Sequence, residues 1–201
     1  MPNGLVLILA LIGWLWPLSV AQSDDETARA EASVARMAVG VDALSSRAGL
    51  TNQVLAAEFL AIADLHFDVA TMARDALGHE SFSALSANKR SSYLAAFRDH
   101  LAHGFVDAVR QLGASQTEVL GSRIAPSGRI AVIGQSRNGH QRRDIVWFMC
   151  HRNPARICDA AVDGVRASAR QRAEFGRVFD RAGLEGLTKD LKAGILAERL
   201  R

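Results

Sequence analysis

The chain has 201 residues, 22% of them charged, with a formal net charge of +3 and an apolar fraction of 49%. That length and balance predict one globular domain and exclude fibrous and disordered classes. The export signal described next and the single tyrosine both argue against a nucleic-acid partner, since few aromatics remain for base stacking.

Residues 1–21 carry no charged side chain, and the run from Leu5 to Val20 is almost wholly apolar. It reads as the h-region of a secretory signal that ends in Ser19-Val20-Ala21, with charge starting at Asp24, Asp25 and Glu26. Cleavage is expected after Ala21, leaving residues 22–201 as a single domain exported to the periplasm. The n-region lacks Lys and Arg, so an uncleaved N-terminal anchor is the alternative, although the run is marginal against the ~20 residues of a spanning helix.

Val34, Ala38, Val41 and Leu44 recur at helical spacing and predict a first helix from Asp24 to about Arg47, stopped near Gly49. Thr51 or Asn52 caps a second helix with the stripe Leu55, Phe59 and Ile62. Asp68 caps a short third helix, with Met72, Ala73, Ala76 and Leu77 inward and Gly78 as its stop. Ser86 caps a long helix in which Leu94, Phe97, Leu101, Phe105 and Leu112 repeat at core spacing.

From Thr117 the period changes to that of strands. Runs at 117–124, 129–137, 143–150 and 156–163 are separated by Pro126-Ser127-Gly128, Asn138-Gly139 and Asn153-Pro154, as in an antiparallel meander. The third run is apolar on both faces and should be central. After Gly164 the pattern returns to helix, with Gly183 marking a bend between two apolar stretches. The fold class is therefore α+β, with helices packed on a four-stranded antiparallel sheet.

The cysteines, Cys150 and Cys158, stand opposite each other if the last hairpin pairs about residue 154. An oxidising compartment favours a disulfide between them; the alternative is two small buried side chains. Seven arginines between Arg123 and Arg156 make the strand region basic, which suits anionic headgroups or an acidic partner, or equally protects a solvated sheet edge.

Catalytic and metal motifs are missing. His79-Glu80 lacks the second histidine of a zinc-protease helix, and Gly134 to Asn138 misses the nucleophile elbow. His100 and His103 are spaced for one metal but have no third ligand nearby in sequence, so a structural or surface role is favoured. No metal, cofactor or nucleotide motif is present.

Phe67-Asp68-Val69-Ala70-Thr71-Met72-Ala73-Arg74-Asp75-Ala76-Leu77-Gly78, then Arg90 and Tyr93 to Arg98 with Leu101 and Phe105, resembles the helical signature of the MlaC family. Asp159 to Val165, Arg172 to Phe175 and Ala182 to Leu187 are similar to its carboxyl-terminal part. The sequence departs from the family in having Phe82 as the aromatic nearest Leu77-Gly78, Arg166 after Gly164-Val165, and no tryptophan near Ala155.

The resemblance implies a periplasmic, non-catalytic shuttle that carries a phospholipid or hopanoid. It also implies an inner-membrane ABC transporter complex and an outer-membrane lipoprotein or porin complex as partners, and a chain that works as a monomer. The expected lipid-binding residues are Ile145, Trp147 and Met149 on one face of the central strand, with Met72, Leu94, Phe97, Leu101 and Phe105 on facing helices. Two rival readings are a periplasmic enzyme using His151 or Asp159, and an interaction module with no small ligand.

Overall fold

The computed structural model describes residues 18–139 and 141–199. Helix α1 is Leu18–Ser45, so it begins ahead of the expected cleavage point, and nearly all of the apolar run read as a secretory signal lies outside the described residues. Among the described residues no helix is long and apolar enough to cross a membrane. Helices α2 (Asn52–His66), α3 (Val69–Leu77), α4 (His79–Ser83) and α5 (Ala87–Leu112) follow. Strands β1 (Gln116–Ile124), β2 (Ile130–Asn138), β3 (Gln141–Cys150), β4 (Asn153–Val162) and β5 (Val165–Arg166) precede α6 (Ala167–Lys192) and α7 (Ile195–Arg199).

The expected caps form. Thr51 Oγ1 accepts from Val54 N at 3.3 Å, Asp68 Oδ1 from Thr71 N at 2.9 Å, and Ser86 Oγ from Lys89 N at 3.4 Å. Gly78 stops α3 at φ 94°, a conformation that a side chain would strain. Gly183 breaks the helical dihedrals inside α6 at φ 63°, so α6 is two helical stretches joined across a kink at the expected bend.

The sheet is an antiparallel meander in the order β1-β2-β3-β4-β5. It has five strands where four were expected. The extra one is short: Asp163 and Gly164, both at positive φ, turn the chain so that Val165 and Arg166 pair back onto Val162 and Ala161. The Asp-Gly dipeptide is a hairpin signal in its own right.

Register places Val132, Trp147 and Ala160 side by side on the inner face, and Ala131, Phe148 and Asp159 on the outer face. Helix α1 lies across the inner face, where Ala30, Val34 and Met37 pack on Ile130, Val132, Trp147, Met149 and Ile157. Asp42 staples this helix to β1. Its carboxylate accepts from Thr117 N at 2.6 Å, Thr117 Oγ1 at 3.0 Å and Ser115 Oγ at 2.8 Å. A second core joins α3, α5, α6 and α7 around Tyr93, Phe97, Phe175, Leu187 and Leu191. Tyr93 is wholly buried there, which pushes its phenol pKa upward, and its hydroxyl donates to the Ala73 carbonyl at 2.9 Å.

Cys150 and Cys158 form a disulfide with Cα atoms 5.2 Å apart. They are not directly opposite, as the simple register required. Met149 pairs with Ile157 and Phe148 with Asp159, so the register shifts there and Cys158 is the extra residue of a bulge that turns its side chain toward Cys150.

Candidate lipid site

Helix α5 carries two apolar stripes. Tyr93, Ala96, Phe97 and His100 are buried against α3 and α6. Leu101, Gly104, Phe105 and Ala108 continue along the helix and overlook the sheet, where they line two clefts.

The larger cleft, about 420 Å³, lies between α5, the β4–β5 hairpin and the start of α6. Leu101, Gly104, Val162, Val165, Ala167 and Ala197 make its apolar wall, and His100, Arg170 and Gln171 add polar groups. Its size falls within the roughly 300–1,000 Å³ of small-molecule pockets. The smaller, about 180 Å³, runs between Val41, Phe105, Ala108 and Val109 and ends in a polar rim of Ser45, Ser115, Ser136, Asn138, Gln141 and Arg143. Ile145 sits between the two in register, two residues beyond Arg143 and paired with Val162, and is only partly buried.

His100 is 4% exposed and bordered by the rings of Phe97 and Phe175. Desolvation, with a smaller contribution from His103, pushes its pKa down to about 4. Its Nε2 lies 3.4 Å from the Gln171 amide nitrogen, and Nδ1 has no hydrogen-bond partner among the described residues. With the amide donating to Nε2, the neutral ring carries its proton on Nδ1. His103 points elsewhere, its Nε2 2.9 Å from the Lys192 carbonyl, so the two histidines do not converge as a metal pair.

The eight residues proposed from sequence separate into two groups. Leu101 and Phe105 line the clefts, and Ile145 lies between them. Met72 and Phe97 are packed in the helical core with Leu94 against its edge, while Trp147 and Met149 are packed under α1. Sequence reasoning missed Gly104, Val162 and Val165. A lone glycine inside an apolar helical stripe was the available signal for the first, and the Asp163-Gly164 turn for the other two.

Asp159 is 3% exposed and accepts from Ala160 N at 2.9 Å, Ser168 N at 3.1 Å, Ser168 Oγ at 2.6 Å and Arg166 Nε at 2.9 Å. It is thus an anchor for the start of α6, with its oxygens already engaged and not poised as a general base. Asp68, Cys150 and Cys158 offer donor atoms within 4.8 Å of one another. Both sulfurs are in the disulfide and the Asp68 carboxylate caps α3, so the trio holds no free thiolate.

Comparison with known proteins bears on the same fold. The chain matches the family described as MlaC protein over residues 39–193. It belongs to the MlaC family. The MlaC match runs from the last turns of α1 to the end of α6 and includes every lining residue of the smaller cleft and all of the larger one but Ala197. Among solved structures, a phospholipid-binding protein from Ralstonia solanacearum, in complex with a phospholipid, superposes with a TM-score of 0.67 at 16% identity. That alignment covers 85% of this chain and 98% of the other, and shows the shared fold. No curated protein matches the chain.

Proposed function

We propose that this MlaC protein is a periplasmic lipid carrier, whose clefts along α5 hold the acyl chains of a phospholipid or hopanoid. One observation carries the reading: a cleft of about 420 Å³ with a mainly apolar wall opens beside α5 in a fold of this family. The Ralstonia relative, which holds a phospholipid on the same fold, supports it.

The physics of such a carrier is simple. Removing one CH₂ from water is worth about 0.8 kcal/mol, so a 16-carbon chain released into water costs roughly 13 kcal/mol. An apolar cleft removes most of that cost, and exchange with a bilayer, itself apolar, is near neutral. No chemical step is required. Direction comes from partners: an inner-membrane ABC transporter complex that hydrolyses the nucleotide, and an outer-membrane lipoprotein or porin complex. Export follows from the leader, with residues 22–201 as the working domain, and amino-terminal sequencing of the periplasmic product should start at Gln22.

Native mass spectrometry of protein purified without detergent tests the reading. Wild type should carry lipid-sized adducts. Leu101→Asp should lose them while staying folded, because the aspartate would sit desolvated against acyl chains. Lipid-free wild type, or a Leu101→Asp variant that loads normally, would sink the proposal.

A further inference from the structure

A third cleft, about 380 Å³, opens where α3, the start of α6 and the Cys150 end of the sheet meet. It shares no lining residue with the lipid clefts. The first turns of α6 divide the two: Ala167, Arg170 and Gln171 face the apolar cavity, and Ser168, Ala169 and Arg172 face this one. Ser127, Arg129 and His151 close the opposite wall.

Its charges do not cancel. Asp159 is neutralised by Arg166 and three further donors, and Asp75 is ion-paired with Arg74 at 3.3 Å. Arg172 commits Nε and Nη2 to the Asp75 backbone carbonyl at 3.0 and 2.7 Å, and makes no ion pair among the described residues. The side chain of Arg129, half-buried, has neither a hydrogen bond nor an ion pair among the described residues. Two guanidinium groups without carboxylates therefore share one concavity with the Ser127 hydroxyl and the His151 ring. The His151 ring lies beside the turn, where a Cβ on Gly128 would be 3.6 Å from its Cε1. The start of α6 adds positive potential.

We infer that this cleft is an oxyanion site that takes a phosphate group. Guanidinium groups match phosphate oxygens in geometry and charge, and the free fork of Arg129 with the uncommitted Nη1 of Arg172 and a hydroxyl suits a tetrahedral group with several acceptors better than a single carboxylate. The inference stands independently of lipid carriage. The phosphate is either free or part of an anionic bilayer headgroup.

Titration of the folded protein with sodium phosphate, followed by amide and arginine side-chain NMR at ionic strength fixed with sodium chloride, tests it. Wild type should show saturable shifts at Ser127, His151 and Ser168. Arg129→Gln, which removes a charge but no contact, should bind on the order of tenfold more weakly, the worth of one charge-assisted bond, with Arg129→Lys between. No saturable shift beyond that of sodium chloride, or an unchanged affinity in Arg129→Gln, overturns the site. Co-sedimentation with phosphatidylglycerol and phosphatidylcholine vesicles separates the sources. Binding to the first alone, lost in Arg129→Gln, assigns the site to headgroups; phosphate titration without vesicle binding assigns it to a free oxyanion.

Discussion

Trp147 and Val162 stand on the same face of one sheet, yet the first is 5% exposed and the second 41%. The difference lies in what covers them. Helix α1 brings Ala30, Val34 and Met37 close to the strands, and Gly134 makes room for the tryptophan: a Cβ there would lie 2.7 Å from the Trp147 ring and 2.4 Å from the Glu118 carbonyl. At the other end the cover is α5, which packs mainly on α6, α2, α7 and α3 and stands away from the strands. Similar apolar side chains thus make a dry core under one helix and an open cleft under another. Apolar character alone does not make a binding site; the distance of the covering element does.

The sharpest break between the regions is Trp147→Ala. In a packed core it should cost about 3 to 5 kcal/mol, a large-to-small penalty with little room for collapse, read as a shift in the urea midpoint. Lipid should leave the Trp147 emission of wild type unchanged, and Trp147 is the one tryptophan after residue 21. A ligand-dependent shift would mean that the cavity extends under α1.

His100 offers a pH handle at the boundary between the helical core and the larger cleft. Its pKa is about 4 in the folded chain, against about 6.5 when unfolded. The unfolded chain therefore binds the extra proton between those values, and stability falls as pH drops from about 6.5 toward 4. The loss should approach about 3 kcal/mol at the lower end, and His100→Gln should flatten that segment of the stability curve. An unchanged slope in the variant would assign the acid sensitivity to other groups.

Somewhat smaller is the effect of the disulfide, which lies on the packed side of the comparison. Its loop spans a sequence separation of 8, so Cys150→Ser with Cys158→Ser should cost about 2 to 3 kcal/mol by chain entropy. Lipid content should not change. Intact mass after alkylation without reductant should show no modified cysteine in wild type.

Most of the scaffold is legible in the sequence because it depends on local chemistry. The caps Thr51, Asp68 and Ser86, the stops Gly78 and Gly183, and the turns between strands are set by the residues at those positions. β5 escapes a sequence reading because the strand is only two residues long and the helical pattern resumes directly after Asp163-Gly164. The clefts are less legible. Periodicity tells which side chains face inward, and it treats Phe97 and Leu101 alike; it carries no information about how closely the opposite layer approaches. That is fixed by contacts far apart in sequence, such as Asp42 with Thr117 holding α1 to the sheet. The bulge at Cys158 likewise arises from pairing that a simple mirror register omits.

The smallest expected change in stability gives the cleanest test of the open region. Gly104 sits in the α5 stripe on the wall of the larger cleft, in helical conformation, and a Cβ added there would meet nothing within 4 Å. Glycine inside a helix costs about 0.5 to 1 kcal/mol relative to alanine, so nothing in folding favours it here. Gly104→Ala should raise stability by about that amount and leave loading intact. Gly104→Leu should keep the gain in part, because the longer side chain projects into empty space, while filling the volume that acyl chains would occupy. Denaturation midpoints at or above wild type with lipid adducts lost in native mass spectrometry would separate the cleft from the core, since under α1 an added side chain at Gly134 is expected to unfold the protein before it affects any ligand. If Gly104→Leu loads as wild type does, the acyl chains lie elsewhere, and the smaller cleft between Val41 and Phe105 becomes the site to fill next.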